Sequence, residues 1–217
     1  MVKKENLRVA YSLSSSQDSI DLYKEWAPTY DSDFAIKNDY RSPFKVAKYF
    51  QRYSENFDTP ILDVGAGTGL VGQCLVAQKT MEITAMDISS EMLEVAKAKN
   101  VYSKFVTSDL TKPLNIANDQ YGAIVSAGTF THGHVGPEAF DELLRILKPG
   151  GLFVVSIHSE VFKEKGFKKK LLEIEHLITR PSFHMVSIYG IKSDKKYGNG
   201  KVFITVFRKK VFRQKFL

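Results

Sequence analysis

The sequence predicts an α/β fold: a doubly wound sheet, mostly parallel, with antiparallel final strands and an N-terminal helical lid. Three observations predict it. From Pro60 onward, short apolar runs alternate with amphipathic stretches of helix length, which implies parallel strands joined by right-handed crossovers. The glycine-rich stretch Gly65-Ala66-Gly67-Thr68-Gly69 lies between the first apolar run and the first of those helical stretches, the setting of a ligand-binding turn. Near the end, Gly198-Asn199-Gly200 separates two apolar runs as a hairpin turn does.

Taken in order, the opening stretch is helical. Ser16 is placed to cap a helix that carries Ile20, Tyr23 and Ala27 on one face and ends before Pro28. Ser42-Pro43 reads as a capping serine followed by proline at the first helical position, with Val46, Ala47, Phe50 and Tyr53 at helical spacing behind it. Between the two helices Trp26, Tyr30, Phe34 and Tyr40 crowd together. The parallel strands are expected at Ile61–Val64, Glu82–Met86, Ser103–Val106, Ala123–Ser126 and Leu152–Ile157. The helices between them are expected near Leu70–Gln78, Glu91–Lys99 and Glu138–Leu147, with Ser89 capping the second and Pro137 opening the third. Lys148-Pro149-Gly150-Gly151 is a helix stop. A basic helix near Val161–Ile178 and the strands Phe183–Tyr189 and Val202–Arg208 complete the chain. One domain over residues 1–217 is expected, with a lid at about 17–58 and a core at 59–217.

Composition narrows the function classes. The chain has 217 residues, 43% of them hydrophobic, enough for one packed domain. No apolar run reaches the ~18 residues of a membrane span, and no apolar segment follows the charged N-terminus as in a secretory signal. With a single cysteine, Cys74, neither an internal disulfide nor a Cys-rich zinc site can form. A cytoplasmic protein is expected. The net charge of +7 gathers late, in Lys163–Lys170, Lys192–Lys196 and Arg208–Lys215, and reads as solvated surface rather than a nucleic-acid footprint.

The chemistry is concentrated at the strand ends. Gly65 and Gly67 let the backbone turn tightly and approach a ligand. Asp87, about 20 residues on and at the end of the next strand, is placed to accept from ribose hydroxyls. The glycines run G-x-G-x-G, and Asp63 precedes them. An acid there suits a ligand bearing an ammonium group better than a pyrophosphate. After the third strand, Asp109 can accept from an adenine amine, while Ile88 offers an apolar face to the ring.

Asp63-Val64-Gly65-Ala66-Gly67-Thr68-Gly69, Met86-Asp87-Ile88-Ser89, Ser108-Asp109-Leu110 and Leu147-Lys148-Pro149-Gly150-Gly151 together resemble the ordered motifs of the class I S-adenosylmethionine-dependent methyltransferases, over about residues 60–158. The stretch from Trp26 to Pro43 resembles the methyltransferase-like family of the Williams–Beuren syndrome region, and more loosely the quinone C-methyltransferases. The resemblance implies a Rossmann-like fold, S-adenosylmethionine as cofactor and S-adenosylhomocysteine as product. It implies that Gly65, Ala66 and Gly67 line the methionine part, Asp63 helps hold its amine, and Asp87 takes the ribose. Asp109 would take the adenine amine, Ile88 and Leu110 the adenine faces, and Ala127 and Gly128 would border the sulfur. Arg41 is the candidate for the cofactor carboxylate and Tyr30 for closing the lid. Gly122 stands where the family often has an aspartate, a departure remote from the transferred methyl.

His132, His134 and His158 are the candidate bases, because strands four and five deliver them to the carboxyl edge and neutral imidazole accepts a proton near pH 7. Ala127-Gly128-Thr129-Phe130 replaces the Asn/Asp-Pro-Pro-aromatic motif of base-amine methylation, and Cys74 is misplaced for a carbon-methylating nucleophile. No acid cluster follows the fourth strand, so no metal is expected. A small-molecule acceptor is expected, with no nucleic-acid or membrane partner. An RNA methyltransferase using the basic tail and a non-catalytic cofactor-binding subunit are the alternatives.

Overall fold

The computed structural model describes residues 9–10, 12–13, 15–77, 81–133, 135–191 and 199–212. Helix α1 (Ser16–Trp26) is capped by Ser15 rather than Ser16. The Ser15 hydroxyl accepts from the Asp18 amide at 3.1 Å, satisfying one of the free N–H groups of the first turn. Pro28 ends the regular helix, and the chain continues as a 3-10 turn, Ala27–Thr29, and a wide π-helical turn, Tyr30–Ile36. Helix α2 (Ser42–Tyr53) carries Pro43 in its first turn, where a missing N–H costs nothing. Ser42 itself does not cap it. It lies inside the helix, 1% exposed, and its hydroxyl has no hydrogen-bond partner among the described residues.

Seven strands form one sheet in the order β3-β2-β1-β4-β5-β7-β6. Strands β1 (Ile61–Val64), β2 (Ile83–Asp87), β3 (Lys104–Thr107), β4 (Tyr121–Phe130) and β5 (Leu147–His158) are parallel. Strands β6 (Ser182–Ser187) and β7 (Lys201–Arg208) are antiparallel, as the hairpin signal predicts, although Gly198 of that signal lies outside the described residues. The order reverses between β1 and β4, so a crevice opens at their carboxyl ends.

Helices α3 (Leu70–Val76), α4 (Ser90–Ala98) and α5 (Ala139–Ile146) cross over between the parallel strands. Ser89 caps α4, accepting from the Met92 amide at 3.2 Å. The expected basic helix is two short ones, α6 (Ser159–Glu164) and α7 (Phe167–Glu173). They are divided at Gly166, whose φ of +80° leaves the right-handed helical region. Two buried clusters fill the sheet's faces. Val46, Phe50 and Leu75 pack on one side, and Phe140, Phe153 and Phe167 on the other.

The late basic residues are only partly solvated surface. Arg208 forks onto Asp58 at 2.7 and 2.9 Å and also donates to the Tyr53 and Gly150 carbonyls, tying α2 to the end of β7. Lys170 pairs with Asp141, and Lys209 reaches Asp119 and the Leu147 carbonyl. Lys192–Lys196 and residues 213–217 lie outside the described residues.

Candidate cofactor and acceptor site

A cavity of about 360 Å³ opens at the carboxyl ends of β1 to β4, within the range of small-ligand sites. Its floor is the glycine loop. Gly65 (φ +63°) packs so closely on Thr129 that a Cβ would collide with the Thr129 hydroxyl. Gly67 (φ +54°) lines the cavity, and a Cβ there would meet nothing within 4 Å, because it would project into the cavity itself. The loop is thus shaped around a volume that a side chain would fill.

Asp87 closes the adjoining wall. Its carboxylate accepts the Gly67 amide at 2.7 Å and the Ser89 amide at 2.9 Å, which fixes it against the loop with lone pairs left for a ligand hydroxyl. Burial raises its pKa, and the backbone amides of Ser89, Gly67 and Ile88 pull the other way. Ile88 and Leu110 supply apolar lining, and Asp109 stands beside them. Burial pushes the Asp109 carboxyl up, but the hydrogen bonds from Thr111, Ser16 and Lys112 outweigh it, so the group sits below its ordinary value and stays ionised. Ala127 and Gly128 border the cavity where β4 breaks register, and Gly128 (φ +87°) leaves no room for a Cβ, which would lie 2.7 Å from the Tyr40 hydroxyl.

The lid side of the cavity comes from Ser15, Ser16, Ser19, Tyr23 and Tyr30. Among the sequence candidates only Tyr30 was named from this side. The serines and Tyr23 share one side of α1, and their helical spacing was the available signal. Tyr30 is partly buried among rings, 4.9 Å from Trp26 and 5.0 Å from Phe34 between centroids, and its loss of solvent raises its pKa well above the ordinary value.

Three candidates stand away from the lining. Asp63 is fully buried beneath the loop, where its Oδ2 accepts from the Tyr102 hydroxyl at 2.7 Å while that hydroxyl accepts the Gly72 amide at 3.1 Å. Burial pushes its carboxyl up to about 7, with the Tyr102 bond opposing and the nearby Asp87 adding to the rise. Ala66 is buried in the loop, its amide donating to the Met86 carbonyl. Arg41 turns outward to pair with Asp39 at 2.6 Å. Asp31, which sequence reasoning did not single out, bridges the N-terminal segment to the core by accepting from Thr68 of the glycine loop and from Lys99 at the end of α4, each at 2.5 Å.

A smaller cleft of about 60 Å³ adjoins the cavity and shares Tyr23, Tyr30 and Gly128 with it. Trp26, Phe34, Tyr40 and Tyr189 wall it with rings, and Ser42 and His158 add polar atoms. Beside it, His132 and His158 stand edge to face with ring centroids 4.6 Å apart. Burial lowers the pKa of His158, and the neighbouring His132 adds to this. Glu160 Oε2 lies 3.4 Å from His132 Nε2. The structure therefore gathers two of the three candidate bases into one cluster. His134 lies outside the described residues.

The fold and this site together define the class: a Rossmann-like methyltransferase fold with its ligand cavity at the switch point of the sheet. Residues 62–155 match the family model described as a methyltransferase domain. The chain is similar to human Methyltransferase-like protein 27, 31% identical over 152 residues that cover 69% of this chain and 61% of that protein. It spans 39–61% of the length of the first curated relatives it matches. Among solved structures it is similar to one described as a putative S-adenosylmethionine-dependent methyltransferase from Methanococcus maripaludis, with a TM-score of 0.59 at 20% identity over 89% of this chain and 94% of that one. It is also similar to the [4+2]-cyclase SpnF, with a TM-score of 0.68 at 15% identity over 92% and 98%. At those identities the likeness is one of fold. The glycine cradle, Asp87 and Asp109 fit S-adenosylmethionine, the cofactor named for the Methanococcus maripaludis structure. Among the described residues no helix is long and apolar enough to cross a membrane.

Proposed function

We propose that this chain catalyses methyl transfer from S-adenosylmethionine to a small molecule. The observation that carries the reading is the pair of adjoining spaces, a cavity of cofactor size and a ring-lined cleft, which share Tyr23, Tyr30 and Gly128 in their walls. The cofactor supplies an activated methyl group on sulfur, so the protein need not create an electrophile. What the chain supplies is position. Asp87 and the glycine loop anchor one end of the cavity, the rings of Tyr23 and Tyr30 stand between it and the cleft, and an acceptor held in the cleft is aligned behind the methyl. Alignment of this kind is worth ~7–11 kcal/mol.

The lid, residues 17–58, keeps water from the reacting atoms through its buried Trp26 and Phe34. Size bounds the acceptor. A cavity of about 150 Å³ is known to hold benzene, so a cleft of about 60 Å³ receives a small reacting group rather than a whole ring. Among the described residues no lysine or arginine lines the cleft, which disfavours a free phosphate or carboxylate at the reacting end. His132 and His158 are the groups that serve the acceptor end.

The test is incubation of the full chain with methyl-labelled cofactor and, in parallel, a metabolite extract and purified RNA, followed by mass spectrometry. Label in a small molecule is the expected result. Label in RNA alone refutes the reading.

A further inference from the structure

We infer that His132, His158 and Glu160 form a binding site for one borderline divalent cation, of which Zn2+ is the representative. The inference rests on the placement of these three side chains and does not depend on the methyltransferase reading.

The fold delivers the ligands. Phe130 of β4 and Ile157 of β5 are register partners, so the residues just past them, His132 and His158, emerge side by side from neighbouring parallel strands. Glu160 follows in the first turn of α6 and turns back toward His132. One donor atom from each of the three lies within 4.8 Å of the others. A tetrahedral zinc site with bonds of roughly 2.0–2.1 Å needs its donors roughly 3.4 Å apart. Glu160 Oε2 already stands 3.4 Å from His132 Nε2, and the widest donor pair has to close by at most about 1.4 Å to reach that spacing.

The donor set decides the ion. Two imidazoles and one carboxylate suit zinc, iron or nickel, whereas magnesium and calcium require oxygen ligands throughout. Three protein ligands with coordination positions left over is the arrangement of a catalytic metal site rather than a structural one. The location agrees with that, because His158 also lines the ring-walled cleft, so a cation held here stands at its rim. Sequence reading expects no metal, because no cluster of acids follows the fourth strand. The carboxylate comes instead from beyond the fifth, across a strand pairing that one-dimensional reading did not reach.

The test is calorimetric titration of the tag-free full chain with Zn2+ and with Mg2+. S-adenosylhomocysteine titration on the same samples checks that each variant is folded. The expected result is one Zn2+ per chain and no Mg2+. His132→Ala and Glu160→Gln should each weaken Zn2+ at least tenfold, with S-adenosylhomocysteine affinity within twofold of the parent. His176→Ala, remote from the cluster, should change nothing. His158→Ala should behave as His132→Ala does, and if it fails to fold, the other two variants decide. Absence of Zn2+ binding overturns the inference, as does equal loss in His176→Ala or no loss in His132→Ala. If the parent chain binds Zn2+ but not S-adenosylhomocysteine, the methyltransferase reading fails while this one stands, with circular dichroism then reporting the fold.

Discussion

Asp63 is a carboxyl group with no exposed surface, and replacing it with asparagine should change how stability depends on pH. Its pKa of about 7 stands against an ordinary 3.8. At ~1.4 kcal/mol per pH unit that gap corresponds to ~4 kcal/mol. The folded carboxyl keeps its proton to a higher pH than the unfolded one does, so between about pH 4 and 7 the folded state binds more protons and stability falls as pH rises. Below that window the protonated acid leaves stability intact, and above it the full ~4 kcal/mol is lost. Asp63→Asn retains an oxygen to accept from Tyr102 but cannot ionise. Urea unfolding at pH 5, 6, 7 and 8 should show the variant gaining ~2–3 kcal/mol on the parent between pH 5 and 7, then levelling off. Parallel profiles for the two proteins would refute the assignment. Tyr102→Phe is the companion: it strips partners from Asp63 Oδ2 and the Gly72 amide together and should destabilise by ~1–3 kcal/mol per orphaned group.

Three further outcomes are expected. Asp87→Ala should weaken S-adenosylhomocysteine binding by ~1–3 kcal/mol in calorimetry, and unchanged affinity would remove Asp87 from the site. Asp31→Ala should speed amide hydrogen exchange across residues 16–36 while costing only ~1 kcal/mol of global stability, because the ion pair is partly exposed; equal exchange would mean the lid is held by its rings alone. Truncation after Phe212 should leave melting temperature and cofactor affinity unchanged, whereas truncation after Arg208 should lower the melting temperature, since Lys209 bonds to Gly151, Asp119 and Leu147.

Features written in adjacent residues were legible in the sequence. The strand–loop–helix at Ile61–Val76, the Ser89 cap and the antiparallel close of the sheet follow from spacing and turn chemistry, which act over a few residues. Gly65, Gly67, Asp87, Ile88 and Asp109 of the cavity belong to the same class, whereas Leu110, Ala127 and Gly128 came only with the family resemblance. Features made by distant residues were not legible. Asp63 meets a tyrosine 39 positions away, and no local pattern separates a carboxylate facing a ligand from one facing a buried hydroxyl. Arg41 has a partner two residues back that competes for its guanidinium. The π-helical turn at Tyr30–Ile36 packs its rings by tertiary contact, and helical periodicity gives no warning of it. Gly166 was the readable sign that the basic helix would break.

The doubly bound Asp31 has a kinetic consequence. One carboxylate joins the lid to Thr68 of the glycine loop, and the next loop amide, Gly67, is held by Asp87. Displacing the lid therefore disturbs the same loop that embraces the cofactor, and by thermodynamic reciprocity a cofactor that tightens the loop also tightens the lid. On the proposed reading, departure of spent cofactor and opening of the lid would be a single event, in which breaking the contact to Lys99 is one of the steps. Because that contact is between charges and partly open to water, dissolved salt loosens it. Turnover limited by product release would then quicken with ionic strength, opposite to the slowing expected of an enzyme that draws in its substrate by charge.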